Sequence, residues 1–210
     1  MSSTTAEAAA TLPGSSAERL RTLIERFAIL SEPGSGSGVT RLGYSALERE
    51  AHAEYSVYME GLGLAVKTDA AGNTIAELSG TEPNLPALGT GSHLDSVPNG
   101  GAFDGIAGVV AAMDIARAMT TSGTPLRHPL RFVAFAAEEG ARFGQACTGS
   151  RIIAGLTKAN DLPGLQDKDG VSLADAMRAI DIDRAKSPTP HGTQRNGPGS
   201  LNSTSNKAAS

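Results

Sequence analysis

Apolar residues first recur with a helical period between residues 15 and 30, where Leu20, Leu23, Ile24 and Phe27 share one face. Ser15 and Glu18 have the spacing of a capping box at its start. The Gly/Ser/Pro run from Glu32 to Gly38 reads as a loop. A second helix is predicted from Ser45, again with a glutamate three residues on at Glu48. It carries Leu47, Ala51, Tyr55, Tyr58 and Met59 and stops near Gly61 and Gly63. Two short strands, residues 64–67 and 74–78, then flank the turn Asp69-Ala70-Ala71-Gly72-Asn73 as a hairpin.

From Pro86 the pattern becomes strand, loop, helix, twice over. Residues 87–91 read as a short buried strand and 93–101 as a loop. Residues 105–119 read as a small-residue helix suited to close packing on a sheet, and 130–136 as an apolar strand. Helices are predicted from Gly149 to Leu156 and, after Ser172, over residues 173–180. The prediction is an α/β fold, its sheet mixed and mostly parallel and flanked by helices. In such sheets ligands gather beyond the carboxyl ends of the strands. Residues 1–14 and 185–210 are expected to be disordered tails around a folded unit at 15–184. The later tail has one leucine and no aromatic residue, too little apolar surface to offset its ordering entropy.

The loops after the last two predicted strands carry the candidate chemistry. The first runs Gly91-Ser92-His93-Leu94-Asp95-Ser96-Val97-Pro98-Asn99-Gly100-Gly101-Ala102-Phe103-Asp104-Gly105. The second runs Ala136-Ala137-Glu138-Glu139-Gly140-Ala141-Arg142-Phe143-Gly144. If those strands are neighbours, His93, Asp95, Asp104, Glu138 and Glu139 converge at one sheet edge. Clustered carboxylates repel and raise one another's pKa, a penalty that a pair of divalent cations removes. An imidazole with carboxylates suits Zn²⁺ or Mn²⁺. His93 would supply nitrogen, and Asp95 would fix its tautomer from behind. Asp104 sits where a glycine-flanked backbone presses it between two metals. Glu138 and Glu139 point apart on an extended chain, so one can bind metal while the other remains a general base. A lone histidine after a strand is usually structural, and a Glu-Glu pair usually a solvated surface feature. This pair, however, directly follows the apolar run Phe132-Val133-Ala134-Phe135.

Other chemistries fit less well. Gly89-Thr90-Gly91-Ser92 lacks the Gly-Lys-Ser/Thr of a phosphate-binding loop, and Ser92 is not in a nucleophile elbow. Cys147 has no evident base partner, and as the only cysteine it forms no internal disulfide. His52 reads as a helix surface or packing residue, His128 as a loop residue, and His191 as part of the tail. The net charge of −4, with no basic run, points away from nucleic acid. No apolar run approaches the length of a bilayer span, and no secretory signal is recognisable, so a cytoplasmic protein is expected.

At these two loops the sequence resembles the hydantoinase/carbamoylase family of dinuclear metal amidohydrolases, within the wider aminoacylase and carboxypeptidase-type metallopeptidase group. The resemblance rests on His93-Leu94-Asp95-Ser96-Val97-Pro98-Asn99-Gly100-Gly101 with Phe103-Asp104-Gly105, on the Glu-Glu-Gly-x-Arg-Phe-Gly run from Glu138, and on Gly149-Ser150-Arg151. It implies His93, Asp104 and Glu139 as metal ligands with Asp104 bridging, Glu138 as general base, and Asp95 as the residue orienting His93. It also implies two divalent ions and metal-hydroxide attack on the carbamoyl or ureido carbon of an N-carbamoyl-amino acid or allantoate-type small molecule. An aminoacylase or dipeptidase of the wider group is the alternative, and a non-catalytic remnant the rival from another class. Full-length members of the family are homodimers with an inserted lid and dimerisation domain, expected to be absent here together with two further histidine ligands, so the literal chain is expected to be incomplete and inactive. One of those histidines lies in a Glu-Leu-His-Ile-Glu-Gln-Gly segment. Allowed codons for Leu201 to Ser210, read two nucleotides in, spell that segment. A frameshift after about Asp183, natural or from sequencing, is therefore expected, and sequencing the gene decides it.

Overall fold

The structure, a computed structural model, describes residues 14–182. The expectations for both tails, including the frameshift, lie outside the described residues or on their border. Helices α1 (Ala17–Ala28) and α2 (Ala46–Gly61) come first, then strands β1 (Ala65–Thr68) and β2 (Thr74–Leu78). After them come β3 (Leu88–His93), α3 (Ile106–Ser122), β4 (Leu130–Phe135), α4 (Thr148–Ile153), a 3-10 helix (Ala159–Gly164) and α5 (Leu173–Ala179).

The strands form one sheet in the order β1-β2-β4-β3. The β3–β4 pair is parallel, with His93 opposite Phe135, and α3 makes the crossover between them. The β1–β2 and β2–β4 pairs are antiparallel. The α/β class and the mixed sheet stand, but among the described strands parallel pairing is the minority. The reason is local: the tight turn at Asp69–Asn73 reverses the chain, closed by Asp69 N–H donating to Asn73 O at 3.0 Å. The sequence gives β3 as a buried strand, yet Leu88 to Gly91 are exposed, because among the described residues β3 has a strand partner only on the β4 side.

Helices α1, α2 and α3 cover one sheet face. Leu23, Phe27, Tyr55, Met59, Val109 and Met113 pack there against Ala76, Phe132 and Ala134. A second cluster sits beyond the strand ends, where Tyr44, Ala136, Ala137, Phe143, Ile152, Leu173 and Met177 join α4 and α5. Together the clusters make the floor on which the loops after β3 and β4 rest. Buried Arg41 ties them down: its Nε donates to Leu94 O at 2.5 Å, and its Nη1 to Phe27 O at 2.8 Å and Leu30 O at 2.6 Å.

Two capping boxes are corrected. The α1 cap is Ser16, not Ser15, and Ser15 instead donates to Asp114. Ser45 does cap α2, accepting from Glu48 N–H at 3.1 Å, but the Glu48 carboxylate does not return to Ser45. It points into the interior. Ser45→Ala should lower stability by about 1 kcal/mol, read by urea unfolding. An unchanged midpoint would show that the cap contributes nothing.

Candidate metal centre

The sheet's parallel pair places both loops side by side. His93 is the last residue of β3, one step earlier than a loop position, and its ring is nearly buried. Its Nδ1 lies 3.1 Å from the Asp95 carbonyl oxygen. A carbonyl only accepts, so Nδ1 carries the proton and Nε2 faces the crevice. Nε2 is 3.8 Å from both Asp104 Oδ1 and Glu138 Oε2. His93, Asp104 and Glu139 each offer one ligand atom, and these three atoms all lie within 4.8 Å of one another.

Gly105, at φ +66°, turns the chain behind Asp104. A Cβ there would stand 2.6 Å from the His93 ring and 2.6 Å from its carbonyl oxygen, so only glycine lets the loop close over the imidazole. Ala137, at φ +48°, makes the corresponding bend after β4. The sequence reading separated the two glutamates by strand alternation. Instead β4 ends at Phe135 and the backbone turns at Ala137, and both side chains reach the cluster around His93.

Asp95 does more than its expected task. Its Oδ1 lies 3.3 Å from His93 Nδ1. The same oxygen accepts from Glu138 N–H at 2.9 Å, and Oδ2 accepts from Glu139 N–H at 3.0 Å. One carboxylate thus fixes the back of the imidazole and the backbone of both glutamates. Cys147 also reaches the cluster, its thiol donating to Glu138 Oε1 at 3.2 Å. That contact pushes the thiol pKa up, with burial adding to it.

The electrostatics match a site short of positive charge. Burial works against charging His93, but the Asp95 hydrogen bond and the charges of Asp95 and Glu138 outweigh it and raise its pKa to about 9. Glu139 is pushed up by burial and by the neighbouring Asp104. Neighbouring carboxylates contribute to both shifts. The donor set of one imidazole nitrogen and carboxylate oxygens fits a divalent ion of the Zn²⁺ or Mn²⁺ kind. The Asp104 side chain is 65% exposed and that of Glu138 38%, so the centre opens outward to a ligand.

The remaining histidines stay outside this centre. His52 is buried behind it, with Nδ1 2.8 Å from Thr74 Oγ1, and burial lowers its pKa to about 3. His128 is half-buried before β4, with Nδ1 2.8 Å from the Pro86 carbonyl oxygen. His191 lies outside the described residues.

Peptidase family M28 matches residues 73–188, more than half the chain. An N-carbamoyl-L-amino-acid amidohydrolase of Paenarthrobacter aurescens is 44% identical over 172 residues, covering 82% of this chain and 41% of its own. The allantoate amidohydrolase of Escherichia coli is 38% identical over 152 residues, covering 72% and 37%. A crystal structure of a hydantoinase/carbamoylase family amidase from Burkholderia ambifaria superposes with a TM-score of 0.73 at 32% identity, covering 79% of this chain and 40% of that one. The chain belongs to peptidase family M28 by its family match and to the hydantoinase/carbamoylase family by its relatives. It spans about two fifths of the length of the curated relatives it matches. Among the described residues no helix is long and apolar enough to cross a membrane.

Proposed function

We propose that this chain carries part of the active site of a dinuclear metal amidohydrolase that cleaves a linear carbamoyl or ureido C–N bond. The observation that carries the reading is the convergence of His93, Asp104 and Glu139 around one point, with Glu138 beside them. In it His93, Asp104 and Glu139 would hold the ions, Zn²⁺ or Mn²⁺. When bound, such ions lower the pKa of water and polarise a carbonyl. Asp95 keeps the Nδ1 proton in place and leaves Nε2 to the metal. Glu138 is the general base. The Cys147 thiol occupies Oε1, and Oε2 faces the crevice, where it takes a proton from the attacking water and returns it to the leaving nitrogen. For a carbamoyl group, water and substrate give the amine, carbon dioxide and ammonia.

The relatives named above act on N-carbamoyl-amino acids and on allantoate, which supports a small ureido substrate over a peptide. The single cysteine, a free thiol, suits a reducing, cytoplasmic setting. The homodimer is proposed for the longer family members and is read by sedimentation.

Titration with Mn²⁺ and Zn²⁺, with His93→Ala as control, tests the centre. Saturable binding that His93→Ala abolishes is expected. Ammonia release from N-carbamoyl-L-amino acids and allantoate, set against N-acyl amino acids and dipeptides, tests the substrate class in a protein extended to the length of its relatives. Preferred cleavage of dipeptides or N-acyl amino acids would favour the aminoacylase or dipeptidase alternative. Saturable binding without turnover on any substrate would favour the remnant.

A further inference from the structure

The segment leaving β4 is gripped at every amide. Ala136 N–H donates to Asn73 Oδ1 at 2.9 Å and Ala137 N–H to Glu48 Oε1 at 2.7 Å. Glu138 and Glu139 donate to the two oxygens of Asp95. The carbonyls are gripped too: Gly149, Thr148 and Cys147 donate to Ala136, Ala137 and Glu138 at 3.0, 2.9 and 2.6 Å. Four consecutive amides are thus met by side chains from α2, the β1–β2 turn and the loop after β3. A non-glycine residue at positive φ persists only where its surroundings over-determine it. Ala137 is such a residue, and it is the hinge from which both glutamates hang.

Among these acceptors Asn73 and Glu48 take no part in the proposed chemistry, and Glu48 is the one that holds Ala137. It is 1% exposed, and its other oxygen accepts from Tyr44 N–H. Gly43 packs closely on the same residue: a Cβ there would lie 2.5 Å from the Ala137 Cβ. Removing the carboxylate leaves a buried amide without a partner at the base of the bend.

We propose that Glu48 is a positioning residue, clamping the Ala137 amide so that Glu138 and Glu139 are held in the geometry that binds metal. This rests on the metal-centre reading given above. A simple helix-capping or core role predicts loss of stability alone. The clamp predicts a local effect on the loop and on metal binding.

The test uses Glu48→Gln, which keeps size but turns an NH₂ toward one of the two amides. Met59→Ala, a core truncation on the same helix, is the control. In the metal-free chain, amide exchange at Ala137, Glu138 and Glu139 should accelerate selectively in Glu48→Gln, relative to the β1–β2 amides. The Mn²⁺ dissociation constant should rise about 10-fold or more, as for other partners that orient ligands. Met59→Ala should lower the thermal midpoint at least as far yet leave Mn²⁺ affinity unchanged. Wild-type exchange and affinity in Glu48→Gln overturn the proposal. So does an equal loss of affinity in Met59→Ala. If the unaltered chain binds no Mn²⁺, the metal-centre reading fails and the exchange pattern alone decides whether the clamp exists. If Glu48→Gln does not fold, Glu48→Asp, with both oxygens but a shorter reach, is read by the same two measurements against the same outcomes.

Discussion

Asp95→Ala should reduce divalent metal affinity by about 100-fold and destabilise the metal-free chain by roughly 2–5 kcal/mol. The size follows from how many groups one carboxylate serves. Its removal leaves the amides of Glu138 and Glu139 without acceptors and takes the Oδ1 contact from His93. The imidazole keeps the carbonyl of residue 95 on Nδ1, because that is backbone. The loss of metal affinity should therefore come mainly from misplaced glutamates, with His93 still in position. Asp95→Asn, which retains one acceptor, should fall between. One effect runs the other way above about pH 8, where Glu48 ionises: Asp95 raises the pKa of buried Glu48, so losing its charge there relieves Glu48 and trims the destabilisation. Calorimetric titration with Mn²⁺ and urea unfolding read the two quantities separately. Affinity within about threefold of the parent would show that the amide clamp has no part in forming the centre.

The sequence was most informative where patterns are local and least where partners are distant. Helices α1 and α2 follow from apolar spacing, α3 from its run of small residues, and the β1–β2 hairpin from its turn residues. The loops after β3 and β4 stand out because histidine, acids and glycines crowd into two short runs, but that they meet depends on the two strands being neighbours, which only the folded sheet supplies. The 3-10 helix at Ala159–Gly164 was missed. It is too short for a period to show, and it contains Pro163, which reads as a breaker. The exposure of β3 was missed because a Gly-rich strand looks the same in a sheet's middle as at its edge.

Glu48 is the instructive case. Three residues after Ser45 it matches a capping box, an explanation complete within one turn of helix. Its real partner, Ala137, is 89 positions away, and nothing in the local pattern points there. The second task of Asp95 was hidden likewise, because the amides it holds have no side-chain signature. Backbone donors are identical along a sequence, so a residue whose work is to hold backbone becomes visible only once the chain is folded.

The buried position of Glu48 leads to the second large effect, a fall in stability of the metal-free chain as pH rises. Burial first, and the charge of Asp95 next, lift its pKa from the ordinary 4.5 to about 8. The Ala137 and Tyr44 amides and the Arg49 charge oppose that rise without cancelling it. Arg41 is the other buried cation in contact with this interior, and its own pKa is lowered by burial while Glu48 and Asp95 pull it back up. Between about pH 4.5 and pH 8 the folded chain holds a proton on Glu48 that the unfolded chain has released. The contribution is therefore fully present below 4.5 and is lost as pH passes through about 8. A shift of this size corresponds to a few kcal/mol. His93 acts in the same direction over a higher window, from its ordinary 6.5 to about 9, so wild-type unfolding alone does not separate the two. Glu48→Gln does, because it removes one titration and leaves the other. Urea unfolding at pH 5.5, 7 and 8.5 should show a steep decline in the parent chain and a clearly shallower one in the variant. Buried His52, its pKa lowered from 6.5 to about 3, works the other way below pH 6.5 and blunts the decline there, while Glu139, pushed up by burial, adds to it; both groups remain in the variant, so the difference between the two chains still reads Glu48. Asp114, Asp167 and Asp175 have lowered pKa values, so their linkage falls below about pH 4 and stays out of this range. Parallel curves for parent and variant would mean that Glu48 is ionised in the folded chain throughout, its charge carried by the two amides and the nearby arginines.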